Sequence, residues 1–165
     1  MTTLPRGEAA DVPRAVRRRR AVAVAGAVSA GLLVLSACDK PSPVATITVG
    51  GDSVNSEALC YNDGDTLNAD SLKDCVKNTG DVKSIKVGQD ETVRIGVDPK
   101  IADAGWVVLV NGRQFTDSSK ETYRTIPSSA FFNVQYGTQG ETNTLTIQMG
   151  EKSNKGVWSF KLKKD

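Results

Sequence analysis

The sequence predicts an all-β fold, a single-domain sandwich of immunoglobulin-like type, on three observations. Short segments of alternating or β-branched residues recur from residue 45 onward, turn residues separate them, and few stretches carry a helical period. The 165 residues also leave room for only one comfortable domain once a leader is removed. At this size a sandwich of short strands is commonly immunoglobulin-like.

Taken in order, the expected strands are ATITVGG, SVNSEALCY, SIKVG, ETVRIGVD, WVVLVNG, ETYRTI, FFNVQYG, NTLTIQM and VWSFKLK. Gly50-Gly51, Gly88 to Asp90, Asn111-Gly112 and Gly150 to Asn154 mark turns, and Asn111-Gly112 predicts a tight hairpin between WVVLV and RQF. Val93, Ile95 and Val97 recur with a period of two, so they share one buried face, and Asp98-Pro99 ends their strand. In the last segment Trp158, Phe160 and Leu162 face one way, towards the core, while Val157, Ser159 and Lys161 face the other. Trp106, opening WVVLV, is the candidate core tryptophan of a middle strand. The one expected helix or turn, ADSLKDCVKN, lies near the loop from Cys60 to Cys75, with Asp70 or Ser71 as its N-cap.

Ahead of the domain the composition changes. Residues 1–20 are polar and end in RRRR, residues 21–35 carry no charge, and small Ser36 and Ala37 follow. That is the layout of a secretory signal: a positive end, a short apolar segment and small residues at the cut. The leader holds Arg6, Arg14 and Arg17 to Arg20. From Cys38 onward 15 Lys and Arg face 17 Asp and Glu, a balance of about −2 against +2 for the whole chain. The basicity is therefore the leader's, and nucleic acid is not an expected partner.

Leu35-Ser36-Ala37-Cys38 resembles the lipobox of bacterial lipoproteins and stands at the end of the apolar segment, where that motif belongs. The resemblance implies a diacylglycerol on the Cys38 sulfur, removal of residues 1–37, and a mature chain held at the outer face of the cell membrane. Two acyl chains, at ~0.8 kcal/mol per buried methylene, suffice for stable anchoring. Residues 38–44, with Pro41 and Pro43, then read as a tether, and residues 45–165 as the sandwich. From Cys38 on, the chain is similar to small lipoproteins of unknown function from high-GC Gram-positive bacteria, a group that supplies no activity.

Export places Cys60 and Cys75 where disulfides form, and with Cys38 committed to lipid they are the remaining pair; a bond between them is expected. The loop they enclose is rich in Asp and Asn. Asp63, Asp65 and Asp74 fall at positions 1, 3 and 12 of a calcium loop, but Leu67 and Asn68 stand where an oxygen ligand and the turning glycine belong. No metal and no cofactor is expected.

The chain has no histidine, which removes the commonest general base and every Ser-His or Cys-His nucleophile. The expected function is a non-enzymatic binding or accessory module of the envelope, meeting membrane lipid through Cys38 and an envelope protein or wall polymer through its surface. Candidate contacts are Tyr61, Phe115, Tyr123, Phe131 and Tyr136, because aromatics dominate interface energetics; the competing role for each is ordinary packing. The alternative is a wall-directed hydrolase using paired carboxylates, Asp90 with Glu91 or Asp98 with Asp103. A two-lobed transport clamp does not fit in 128 mature residues.

Overall fold

Alternation of buried and exposed residues builds the strands. The computed structural model describes residues 41–77, 82–133, 138 and 140–165, and Pro41–Asp165 is one compact unit. The leader, the lipobox cysteine and Tyr136 lie outside the described residues. Ten strands and three short helices are described: β1 (Ala45–Val49), β2 (Asp52–Ser56), β3 (Cys60–Tyr61), α1 (Ala69–Lys77), β4 (Ser84–Val87), β5 (Thr92–Val97), α2 (Pro99–Asp103), β6 (Trp106–Val110), β7 (Arg113–Gln114), β8 (Tyr123–Pro127), α3 (Ser128–Phe131), β9 (Thr142–Met149) and β10 (Gly156–Lys164).

They form two sheets. One has the order β2-β1-β5-β8, all antiparallel; the other runs β3-β10-β9-β6-β7, with β4 pairing β10 in parallel. Strand β10 is thus bordered by β9 along one edge and by β3 and then β4 along the other. A single apolar cluster joins the sheets, with Ile47, Val93, Ile95 and Ile126 from one and Ile85, Trp106, Val108, Leu145, Ile147, Trp158, Phe160 and Leu162 from the other. The expected all-β architecture, the period-two face of β5 and the inward Trp106, Trp158 and Phe160 are all present.

Turn chemistry fixes the edges. Asn111 and Gly112 both take positive φ, 49° and 79°, which joins β6 to β7 in the expected hairpin. Asn111 reinforces it: its Oδ1 accepts from the Thr144 backbone N–H at 2.9 Å and its Nδ2 donates to Asn143 Oδ1 at 2.7 Å. Asn143, almost fully buried, in turn donates to the Phe131 and Thr138 carbonyls. At the start of β10 glycine is required for space, since a Cβ on Gly156 would lie 2.7 Å from the Trp158 ring.

Three local expectations are corrected. SVNSEALCY is two strands in different sheets, because after β2 the chain crosses over and Leu59 N–H donates to the Val157 carbonyl, seating β3 on β10. FFNVQYG does not begin as a strand: Phe131 closes α3, where the Ser128 hydroxyl donates to the Gln89 carbonyl at 2.6 Å and turns the chain after β8. The N-cap of α1 is Asn68, whose Oδ1 accepts from Ser71 N–H at 2.7 Å; Asp70 and Ser71 lie inside the helix.

The first described residues are pinned to the domain. Trp158 Nε1 donates to the Pro43 carbonyl at 2.8 Å, Val44 N–H to Asp98 Oδ2 at 2.7 Å, and Ala58 N–H to the Ser42 hydroxyl at 3.1 Å. The chain thus enters at the end of the sandwich where β5 finishes and β10 begins. Among the described residues, no helix is long and apolar enough to cross a membrane.

Candidate functional site

The outer face of the six-stranded sheet, the side turned away from the core, is set by register. Across β6, β9 and β10 the residues facing out form rows: Val107, Gln148 and Val157; Leu109, Thr146 and Ser159; then Thr144 and Lys161. Beside Val157 in the first row is Cys60 of β3, so its side chain also points outward. Its disulfide to Cys75 therefore holds α1 against this face, with a Cα separation of 5.8 Å. Leu67 N–H donating to the Asn154 carbonyl at 2.7 Å fastens the loop a second time.

This cover explains why Val157 and Ser159 are buried although they face away from the core. It also makes a groove of about 410 Å³, between Leu72 of α1 and the Asn111-Gly112 turn, floored by Leu109, Thr144, Thr146, Gln148, Val157 and Ser159 and bounded by Asn154. That volume is in the range of small-ligand sites, about 300–1,000 Å³. The floor offers hydroxyls, an amide and aliphatic carbons, and none of the lining side chains is titratable. Thr146 and Ser159 share a hydroxyl hydrogen bond of 3.1 Å, in which either oxygen can donate. Such a surface recognises neutral hydrogen-bonding groups, and it lacks the acid and base that proton transfer needs.

The aromatic candidates do not converge on it. Phe131 is fully buried and stacks on Phe115, with centroids 5.4 Å apart; its reading as a contact residue is overturned, because it belongs to the core. Phe115 is half-buried against the same cluster. Tyr61 packs on the core beside Trp158 at 6.3 Å, while Tyr123, 50% exposed, stands on β8 of the opposite sheet. The Lys100 ammonium lies 5.2 Å from the Tyr61 ring centroid. Its pKa is raised, first by the neighbouring Tyr61 hydroxyl and least by the Asp63 carboxylate, against desolvation. The hydroxyl itself is buried with no partner in hydrogen-bonding geometry among the described residues, so it acts on Lys100 as a nearby dipole.

Two of the acidic candidates, Glu91 and Asp98, hold backbone in place. Asp63 takes a positive φ of 48° in the turn after β3, and among the described residues no group of three or more acidic or thiol side chains is placed to hold a metal ion. The carboxylate pairs sit at opposite ends of β5. Glu91 Oε2 accepts from Gly88 N–H at 2.7 Å and closes its own turn, whereas Asp98 Oδ2 accepts from Val44 N–H and holds the entering chain to the end of β5.

Sequence reasoning missed the groove residues, although NTLTIQM carried one sign of them. Its outward positions, Thr144, Thr146 and Gln148, are all uncharged on a face expected to meet solvent. Residues 38–162 match a family model described as a protein of unknown function (DUF2771). No curated protein and no solved structure matches the chain.

Proposed function

This chain belongs to the DUF2771 family, described only as of unknown function, and from that premise we propose a role read from its own geometry. It is a lipid-anchored extracytoplasmic module that binds, without catalysis, a component of the cell envelope through the outer face of its six-stranded sheet. The observation that carries this reading is the neutral groove framed by a disulfide-clamped helix, a concave, pre-formed surface on what is otherwise the exposed side of a sheet. Preorganisation matters here because ordering loops on binding subtracts from affinity. Anchoring is supported by the lipobox-like sequence at the end of the apolar segment.

The same proposal includes an immunoglobulin-like type for the sandwich. In that arrangement the strand orders are A-B-E-D and C-F-G. Taking β1, β5 and β8 as A, B and E, and β6, β9 and β10 as C, F and G, gives the A-B-E and C-F-G neighbours, with no strand among the described residues in the D position beside β8. The disulfide is separate from that scheme, a local staple across 15 positions.

Thr146→Trp tests the groove, since it fills the floor with a bulky uncharged ring without touching the core. Sedimentation with isolated cell-wall material is expected to fall at least ~tenfold in affinity, about 1.4 kcal/mol, with the thermal midpoint nearly unchanged. Equal sedimentation of variant and wild type overturns the groove as the binding surface. Cys38→Ala tests the anchor separately: fatty-acid labelling and recovery in the membrane fraction are both expected to disappear. Persistence of both rejects the lipid anchor.

A further inference from the structure

Beyond the groove the outward rows of the same sheet become cationic. Along β10 the outward residues read Val157, Ser159, Lys161, Lys163, and Lys163 lies directly beside Lys86 of the parallel strand β4. Lys161 is opposite Thr144, which lines the groove, so the lysines continue the groove rather than forming a distant patch. Same-face rows repeat every two residues, about 6.6 Å, which places Lys163 about 13 Å beyond Ser159.

The arrangement opposes stability, because neighbouring ammonium groups on paired strands repel each other. Lys86 is relieved by Asp165 at 2.8 Å, a hydrogen-bonded pair that raises the Lys86 pKa. Lys161 and Lys163 make no ion pair among the described residues. They stand on a chain whose balance from Cys38 onward is about −2, so the cationic row is a local asymmetry rather than a reflection of overall charge.

Resting on the binding role proposed above, we infer that groove and lysine row form one track for an anionic glycan. Sugar hydroxyls lie on Thr144, Thr146, Gln148 and Ser159, and phosphate or carboxylate groups lie on Lys161 and Lys163. A polymer fits better than an anionic membrane surface because of where the chain enters. Pro43 is bonded at the start of β10, whereas the lysines stand at its far end. Pro41 follows Cys38 by three residues, at most about 11 Å of chain. A lipid on Cys38 therefore tethers the end opposite the lysines.

The test uses the full-length protein in neutral detergent micelles with three polymer probes, polyglycerol phosphate, polygalacturonate and uncharged dextran, and with phosphatidylglycerol mixed into the micelles as the lipid alternative. Binding of at least one of the two polyanions is expected, weakening at least ~tenfold between 0.05 and 0.5 M salt as the charges are screened. Which polyanion binds distinguishes phosphate from carboxylate recognition. Lys161→Glu/Lys163→Glu is expected to lose at least ~tenfold in affinity, and the milder Lys161→Gln/Lys163→Gln guards against misfolding, which circular dichroism checks. Wild-type affinity in both lysine variants, protection of Lys161 and Lys163 from amine labelling by phosphatidylglycerol but not by the polymers, or no polyanion binding at all overturns the inference. If Thr146→Trp alone loses wall binding, the groove stands and the anionic ligand falls. Loss in neither Thr146→Trp nor the lysine variants rejects both readings.

Discussion

Trp158→Ala is expected to cost about 3–5 kcal/mol, enough to unfold a substantial fraction of a domain whose whole stability is of order 5–15 kcal/mol. The indole is fully buried in β10, between β9 and the edge formed by β3 and β4, and Gly156 and Tyr61 close around its ring. Alanine leaves a cavity that two sheets fixed by backbone pairing cannot collapse to fill. It also leaves the Pro43 carbonyl without its donor, a further loss of about 1 kcal/mol. Urea titration followed by far-ultraviolet circular dichroism reads the effect. Trp158→Phe keeps most of the volume and loses the N–H, so it separates the two contributions and is expected to cost about 1–2 kcal/mol. A Trp158→Ala variant within about 1 kcal/mol of wild type contradicts a core centred on this residue.

The second large effect concerns the disulfide. Cys60→Ser/Cys75→Ser is expected to lower stability by about 3 kcal/mol, the chain-entropy value for a closed loop of this length. The consequence reaches further than the midpoint of unfolding. Cys60 lies on β3 and Cys75 on α1, so the bond is the covalent tie between the groove wall and its floor. Amide exchange should accelerate across α1 and at Leu67, while β1, β5 and β9 keep protection relative to the new global stability. Uniform acceleration, with α1 no faster than the sheets, contradicts a local staple.

How much of this was legible depends on the range of the interaction. Period-two patterns such as Val93-Ile95-Val97 and Trp158-Phe160-Leu162 encode which face is buried, because alternation is a property of the strand itself. The Asn111-Gly112 hairpin was readable for the same reason: positive φ at two consecutive positions is a local demand that Asn and Gly meet. Helix α1 was readable, but its cap was displaced to Asn68, since several Asx and Ser residues compete there and only the tertiary path selects one. FFNVQYG misled because Phe131 and Phe132 are apolar in a strand-like run, whereas the turn after β8 is imposed from outside by Gln89 and Glu91, whose carbonyls accept the Ser128 hydroxyl and N–H. The groove was not legible as a site. It exists only because Cys60 happens to face outward in register with Val157, and register between strands almost a hundred residues apart has no local signature.

Strand β10 carries a kinetic consequence. It completes the six-stranded sheet by touching β9, β3 and β4, and its Trp158 reaches back 115 positions to Pro43. A chain lacking residues 156–164 leaves β3 and β4 with no partner in that sheet and the central tryptophan missing from its core. Closure entropy must be met before these distant contacts return anything, which makes folding slow and keeps it late. During synthesis the six-stranded sheet therefore cannot close over a complete core until residues 156–164 are available to pair β3, β4 and β9.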